Sequence, residues 1–141
     1  MNLEQLFSQY KEQSIEGRYI TLDKIYPILE KLSTDNQLEI IGKSVLDIPI
    51  YKFQIGTGKI KILLWSQMHG NESTTTKALI DFLNLLNGGS DFANTLLKAF
   101  TFCVIPMLNP DGAKLYTREN ANKVDLNRDS KDLSQPESRV L

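Results

Sequence analysis

Residues 66–73, SQMHGNES, set the chain's one histidine, His69, three positions before a glutamate, Glu72. Neutral imidazole nitrogen and carboxylate oxygen are both zinc ligands. A tight strand-to-helix turn, with Gly70 allowing the bend, would aim the two at one point. The commonplace alternative makes Glu72 a first-turn acid that favours the helix dipole and leaves His69 a loop residue. A lone His-x-x-Glu is a weak signal. Catalytic zinc also takes three protein ligands, and no second histidine exists to supply one.

A second constellation follows in residues 109–128, NPDGAKLYTRENANKVDLNR. Arg118, Asn127 and Arg128 offer two guanidinium forks and an amide. That is a suitable set for holding a carboxylate and a developing oxyanion. Taken singly, each is an ordinary polar residue on a solvated loop.

These residues need a scaffold that brings them together. Leu3, Leu6, Phe7 and Tyr10 recur at helical spacing and predict a helix over 3–13. Leu22, Ile25, Ile28, Leu29 and Leu32 predict a second, with Thr21 as N-cap and Pro27 as an early turn or kink. Residues 33–37 read as a polar connector. Residues 38–46 and 49–56 are β-rich, and GTGK (56–59) is a turn before a strand over 60–67. Leu79, Phe82, Leu83 and Leu86 stripe a helix over 72–87, closed by Gly88 and Gly89. Residues 99–107 form a strongly apolar strand, then NPDG signals a turn and a polar stretch runs to residue 135. Pro136 marks the first turn of a further helix.

Strand 60–67, helix 72–87 and strand 100–106 make a βαβ unit, so the two strands should be parallel with a right-handed crossover. Both are apolar enough to be buried on two faces. Chemistry in open α/β sheets collects at the carboxyl ends of strands. His69 follows one such end and Asn109 the other, so the two motifs should meet although forty residues separate them.

Composition narrows the function classes. The 141 residues, 41% hydrophobic, suffice for one domain with a real core. A net charge of −1, with both signs mixed along the chain, argues against nucleic acid or an anionic membrane as partner. The aromatic residues do not interleave with basic ones, so no platform for stacking bases is expected. Cys103 is the one cysteine, which excludes an internal disulfide and fits a reducing compartment. Its place in an apolar strand reads as a buried core thiol. The charged N-terminus lacks the apolar core of a signal peptide, and the longest apolar run is far too short to span a bilayer. A cytoplasmic location is expected. GTGK is half a phosphate-loop pattern and reads as a turn, and the sequon at Asn71 is expected to stay unmodified.

HGNE, NPDG, Arg118 and DLNR, in this order, resemble the motifs of the zinc metallocarboxypeptidases of the M14 family. Residues 21–33 and 40–56 resemble that family's lead-in helix and paired strands. The resemblance implies an α/β fold, with three α/β/α layers around a mixed, partly parallel central sheet. It implies that His69 and Glu72 bind zinc, and that Arg118 polarises the scissile carbonyl and stabilises the oxyanion. Asn127 and Arg128 would grip the terminal carboxylate of a peptide substrate. Asp125 would hydrogen-bond His69 and fix its tautomer. The family's third zinc ligand, general-base glutamate and substrate-covering tyrosine have no counterpart in residues 1–141. The chain is therefore expected to be the N-terminal part of one catalytic domain, inactive alone. Two other readings stand beside it. One is an N-acyl amino acid amidohydrolase of the aspartoacylase and succinylglutamate desuccinylase type. The other is a non-catalytic peptide-binding module on the same fold. The sequence leaves the oligomeric state open.

Overall fold

Ile60, Ile62 and Leu64 alternate along one strand, and Phe100, Phe102 and Val104 along another. In the computed structural model, which describes residues 2–34 and 37–141, these two strands lie side by side. They are β3 (Ile60–Trp65) and β4 (Phe100–Ile105), and they pair in parallel from Ile60↔Phe100 to Trp65↔Ile105. Two further strands, β1 (Leu38–Lys43) and β2 (Pro49–Ile55), complete a sheet of order β1-β2-β4-β3. β1 runs antiparallel to β2, and β2 antiparallel to β4, so the sheet is mixed as expected.

Among the described residues, five α-helices accompany the strands. α1 (Leu3–Tyr10) starts where the Asn2 side chain accepts from the Glu4 amide. α2 (Leu22–Leu32) buries Ile25 and Leu29 and carries Pro27 inside it. Thr21 occupies its N-cap position but makes no side-chain cap bond. α3 (Thr74–Asn87) crosses from β3 toward β4 and buries Thr76, Ile80, Leu83 and Leu86. Its apolar stripe meets Phe53, Phe102 and Val104 of the sheet in the main core. Each such fully buried Leu, Ile or Phe contributes about 1.5–3 kcal/mol. On the other face Ile50 and Ile105 pack with Leu108 and Leu126, flanked by Ile41, Met68 and Val140.

Four features depart from the sequence reading. The crossover contains an additional helix, α4 (Asp91–Ala99), capped by Ser90 accepting from the Ala93 amide. NPDG opens not a bare turn but α5 (Pro110–Leu115), with Asn109 as N-cap and Pro110 at the first helical position. β3 is not buried on both faces. Among the described residues it is an edge strand with a neighbour on one side only, and Ile60, Leu63 and Trp65 are 59%, 43% and 46% exposed. Cys103 is half-buried rather than a core thiol, with Sγ 3.6 Å from Gln54 Oε1. Its side of β4 faces away from the helices. Smaller differences are a single 3₁₀ turn at Ser138–Val140 after Pro136, and Asp35 and Asn36 of the polar connector lying outside the described residues. No described helix is long and apolar enough to cross a membrane.

Where β3 and β4 end, a set of buried polar groups joins the two exits. The Ser66 hydroxyl bonds Pro106 O and Thr76 Oγ1. The Leu108 and Asn109 amides donate to Ser66 O and Gln67 O. Gln67, buried and at φ 48°, donates through Nε2 to Ile20 O and Gly70 O and accepts from Thr76. A buried amide satisfied on both ends holds irregular backbone that water cannot reach. The loops that follow β3 and β4 are thereby fixed against each other.

Candidate active site

Gly70 and Gly112 set the closest approach of the two motifs. A Cβ on Gly70 would overlap the backbone of Gly112, and one on Gly112 would crowd Asn109 and Glu119 O. The need for glycine at position 70 is thus close packing, since its φ is not in the left-handed region. That differs from the bend assigned to it from sequence. Gly70 N also donates to Arg118 O, 3.4 Å away.

This contact brings four of the expected residues into one closed ring. His69 Nε2 lies 3.1 Å from Asp125 Oδ1, and His69 Nδ1 lies 3.1 Å from Glu72 Oε2. Arg118 Nε donates to Asp125 Oδ2 and Arg118 Nη1 to Glu72 Oε1, each at 3.1 Å. His69 is mostly buried, while Glu72 and Arg118 reach into solvent. Partial burial works to raise the pKa of Asp125. Hydrogen bonds from Arg118, the Asn127 amide and His69 outweigh it and hold the carboxyl below the usual aspartate range.

The ring has a chemical consequence. With Asp125 ionised, the imidazole proton belongs on Nε2, where it is donated to the carboxylate. Nδ1 then presents a lone pair to Glu72 Oε2. Two acceptors 3.1 Å apart repel unless a proton or a cation lies between them. The donor chemistry of His69 and Glu72 therefore suits a metal ion with nitrogen and oxygen preference. Among the described residues no group of three or more His, Cys, Asp or Glu is arranged around one ion. His69 and Glu72 are the two donors that face each other among the described residues.

Asn127 and Arg128 stand at the border of this ring and outside it. The Asn127 amide donates to Asp125 Oδ1, and the Arg128 amide to Asp125 O. Both side chains are exposed. Among the described residues no side-chain bond ties the Arg128 guanidinium down. A cleft of about 420 Å³ opens on the other flank of Glu72, lined by Arg18, Asn71, Lys77 and Tyr116.

Several residues that build the site escaped the sequence reading. Asp111, fully buried, accepts from Ser44 Oγ and the Leu46 amide, so it ties α5 to the β1–β2 turn. Glu137, also fully buried, accepts from the Val45 amide and from Asn120 Nδ2. Asn109, placed by the sequence at the end of β4 but given no role there, caps α5 and bonds both motif loops. The one available signal was Asn109 followed by Pro110, the pattern of an N-cap with proline at the next position.

The sequence profile of the family described as zinc carboxypeptidase matches residues 25–139. This chain belongs to the zinc carboxypeptidase family. It is similar to carboxypeptidase SOL1 of Arabidopsis thaliana, with 30% identity over 146 residues, covering 87% of this chain and 30% of that protein. It is similar to carboxypeptidase E of Caenorhabditis elegans, with 32% identity over 133 residues, covering 78% and 28%. The chain thus spans about a third of the length of these relatives. Its fold matches a metallo-carboxypeptidase from Burkholderia cenocepacia at a TM-score of 0.75 and 22% identity, over 84% of this chain and 36% of that one. Carboxypeptidase A from Helicoverpa armigera matches at a TM-score of 0.69 and 21% identity, over 97% and 46%. In this zinc carboxypeptidase chain, Nδ1 of His69 and the carboxylate of Glu72 are donors of the kind zinc takes.

Proposed function

We propose that the protein carrying this chain is a zinc-dependent carboxypeptidase that hydrolyses the C-terminal peptide bond of peptides. The observation that carries the reading is the ring of His69, Glu72, Arg118 and Asp125, within a chain of this family. His69 Nδ1 and Glu72 would hold the zinc. Bound zinc would supply a Lewis acid and a water of lowered pKa. Asp125 keeps the His69 proton on Nε2, so that Nδ1 stays free to ligate. Arg118 is anchored to Glu72 and Asp125 through Nη1 and Nε. Its remaining amino group is left to donate to the scissile carbonyl oxygen and to the oxyanion that develops there. Arg128 offers a planar, permanently charged fork for the substrate's terminal carboxylate, and the side-chain carboxamide of its neighbour Asn127 would grip the same group. The single cysteine supports a reducing compartment, and we place the protein in the cytoplasm.

The test is a substrate panel for the purified protein. Peptides with a free C-terminus should lose their last residue, and C-terminally amidated copies should resist. Preference for N-acyl amino acids over peptides would favour the amidohydrolase reading. Peptide binding without turnover would favour a non-catalytic module.

A further inference from the structure

One buried amide joins the two halves of the site. Asn109 has no solvent exposure. Its Oδ1 accepts from the Gly112 amide at 2.8 Å, capping α5. Its Nδ2 donates to Met68 O at 3.2 Å and to Arg118 O at 3.4 Å. Met68 immediately precedes His69, and Arg118 carries the guanidinium of the ring. The Asn109 backbone is fixed in turn, with its amide on Gln67 O and its carbonyl accepting from the Ala113 amide.

We propose that Asn109 is a positioning residue for the hydrolysis proposed above. Its carboxamide sets the separation between the His69–Glu72 half and the Arg118–Asp125 half of the site. It touches no reacting atom and acts through the backbone on either side. The ion pairs of Arg118 cannot do this alone. Those pairs orient the guanidinium, but Arg118 and Glu72 are substantially exposed, so the pairs hold the side chain without fixing the backbone that carries it. A buried amide with both protons and its oxygen engaged is held far more tightly. No other side-chain group offers one acceptor and two donors within the same span. Aspartate would turn a carboxylate toward two carbonyl oxygens. Serine would keep the cap, since it is among the preferred N-cap residues, but its one hydroxyl proton cannot serve Met68 O and Arg118 O as well. The proposal rests on the carboxypeptidase reading for its kinetics and on geometry alone for its spectroscopy.

Two variants and one measurement on the unaltered chain test it. In the active enzyme, Asn109→Ser should lower kcat about tenfold to a hundredfold, the scale of a small misplacement of a catalytic group. KM should change little. In the metal-free protein, the Arg118 Nε–H resonance, which reports the bond to Asp125, should shift in both Asn109→Ser and Asn109→Asp. In the unaltered chain, the Asn109 Nδ2 protons should exchange slowly with solvent. A merely structural role would lower the urea midpoint and leave the kcat of folded protein and the Arg118 resonance unchanged. That result, or rapid exchange of the Nδ2 protons, overturns the proposal. Should neither variant fold, the exchange measurement decides. An unaltered enzyme that fails to cleave peptides would sink the carboxypeptidase reading and leave the spectroscopic arm intact.

Discussion

Arg118 and Arg128 are both arginines on one polar loop, yet their surroundings assign them different work. Arg118 is held in the ring by two of its nitrogens, whereas Arg128 extends into solvent beside it. A fixed donor acts on charge that develops during reaction, so Arg118→Ala should depress kcat more than KM. The expected loss is about a hundredfold to a thousandfold, as for other oxyanion donors. A change in KM alone would contradict the role. Arg128→Lys keeps the charge and loses the fork, so it should raise KM for peptides with free C-termini. Unchanged kcat/KM for those peptides would remove Arg128 from the binding surface. At position 70 the matter is space. Gly70→Ala must push the HGNE turn off Gly112, and overpacking of this kind costs about 1–3 kcal/mol. A urea midpoint equal to that of the unaltered chain would show that the two loops yield freely.

At the level of elements, the loop after the DLNR segment depends on one carboxylate. The Asp129 side chain accepts from the Ser134 hydroxyl and from the Ser134 and Gln135 amides. Those bonds, that of the Ser134 hydroxyl foremost, hold its pKa far below the ordinary aspartate value. A carboxyl with a depressed folded pKa stabilises the fold above its unfolded value, which is about 3.9. That contribution disappears as pH falls below this value toward the folded one. Urea midpoints measured against pH should therefore drop on the acid side, and Asp129→Asn should flatten that limb. An unchanged acid limb would show that the loop does not need the charge. Periodicity made the main elements legible before any coordinates. The stripes of α2 and α3 and the apolar runs of β3 and β4 are strong local patterns, and their βαβ order fixes the parallel pairing. α4 was missed because it is only nine residues long and buries only Ala93, too short a run to stand out between two longer elements. α5 was missed because six residues give no periodicity at all, and its stability comes from the Asn109 cap and the burial of Asp111. The exposure of β3 was invisible because strand order is a property of the sheet, and an apolar run looks the same at an edge as in the centre.

For the molecule as a whole, the same logic separates what was readable at the site. His69, Glu72, Arg118 and Asp125 were legible through short motifs, and tertiary structure alone could show them as one ring. The buried residues that join the loops, Asn109, Asp111 and Glu137, carry ordinary polar side chains whose function exists only once the chain has folded around them. Two donors also set the expected metal affinity of these 141 residues. Catalytic zinc sites use three protein ligands that orient one another, so zinc should be retained poorly through dialysis of this chain. Stoichiometric zinc by elemental analysis would point to a further donor that the ring does not include. The open side of β3 has its own consequence, because an unpaired strand with exposed apolar side chains invites association. Sedimentation should show association that grows with concentration, and a monomer at all concentrations would argue against it.

Trp65 turns that edge into an optical instrument. It is the one tryptophan in the chain, it ends β3 at nearly half exposure, and it lines the same small hollow as His69 and Glu72. Its emission therefore reports two events without any label. A surface laid over β3 should move the emission to shorter wavelength. A paramagnetic ion such as Cu²⁺ taken up between His69 and Glu72 should quench it with little displacement, and His69→Ala should abolish the quenching while leaving the wavelength response intact.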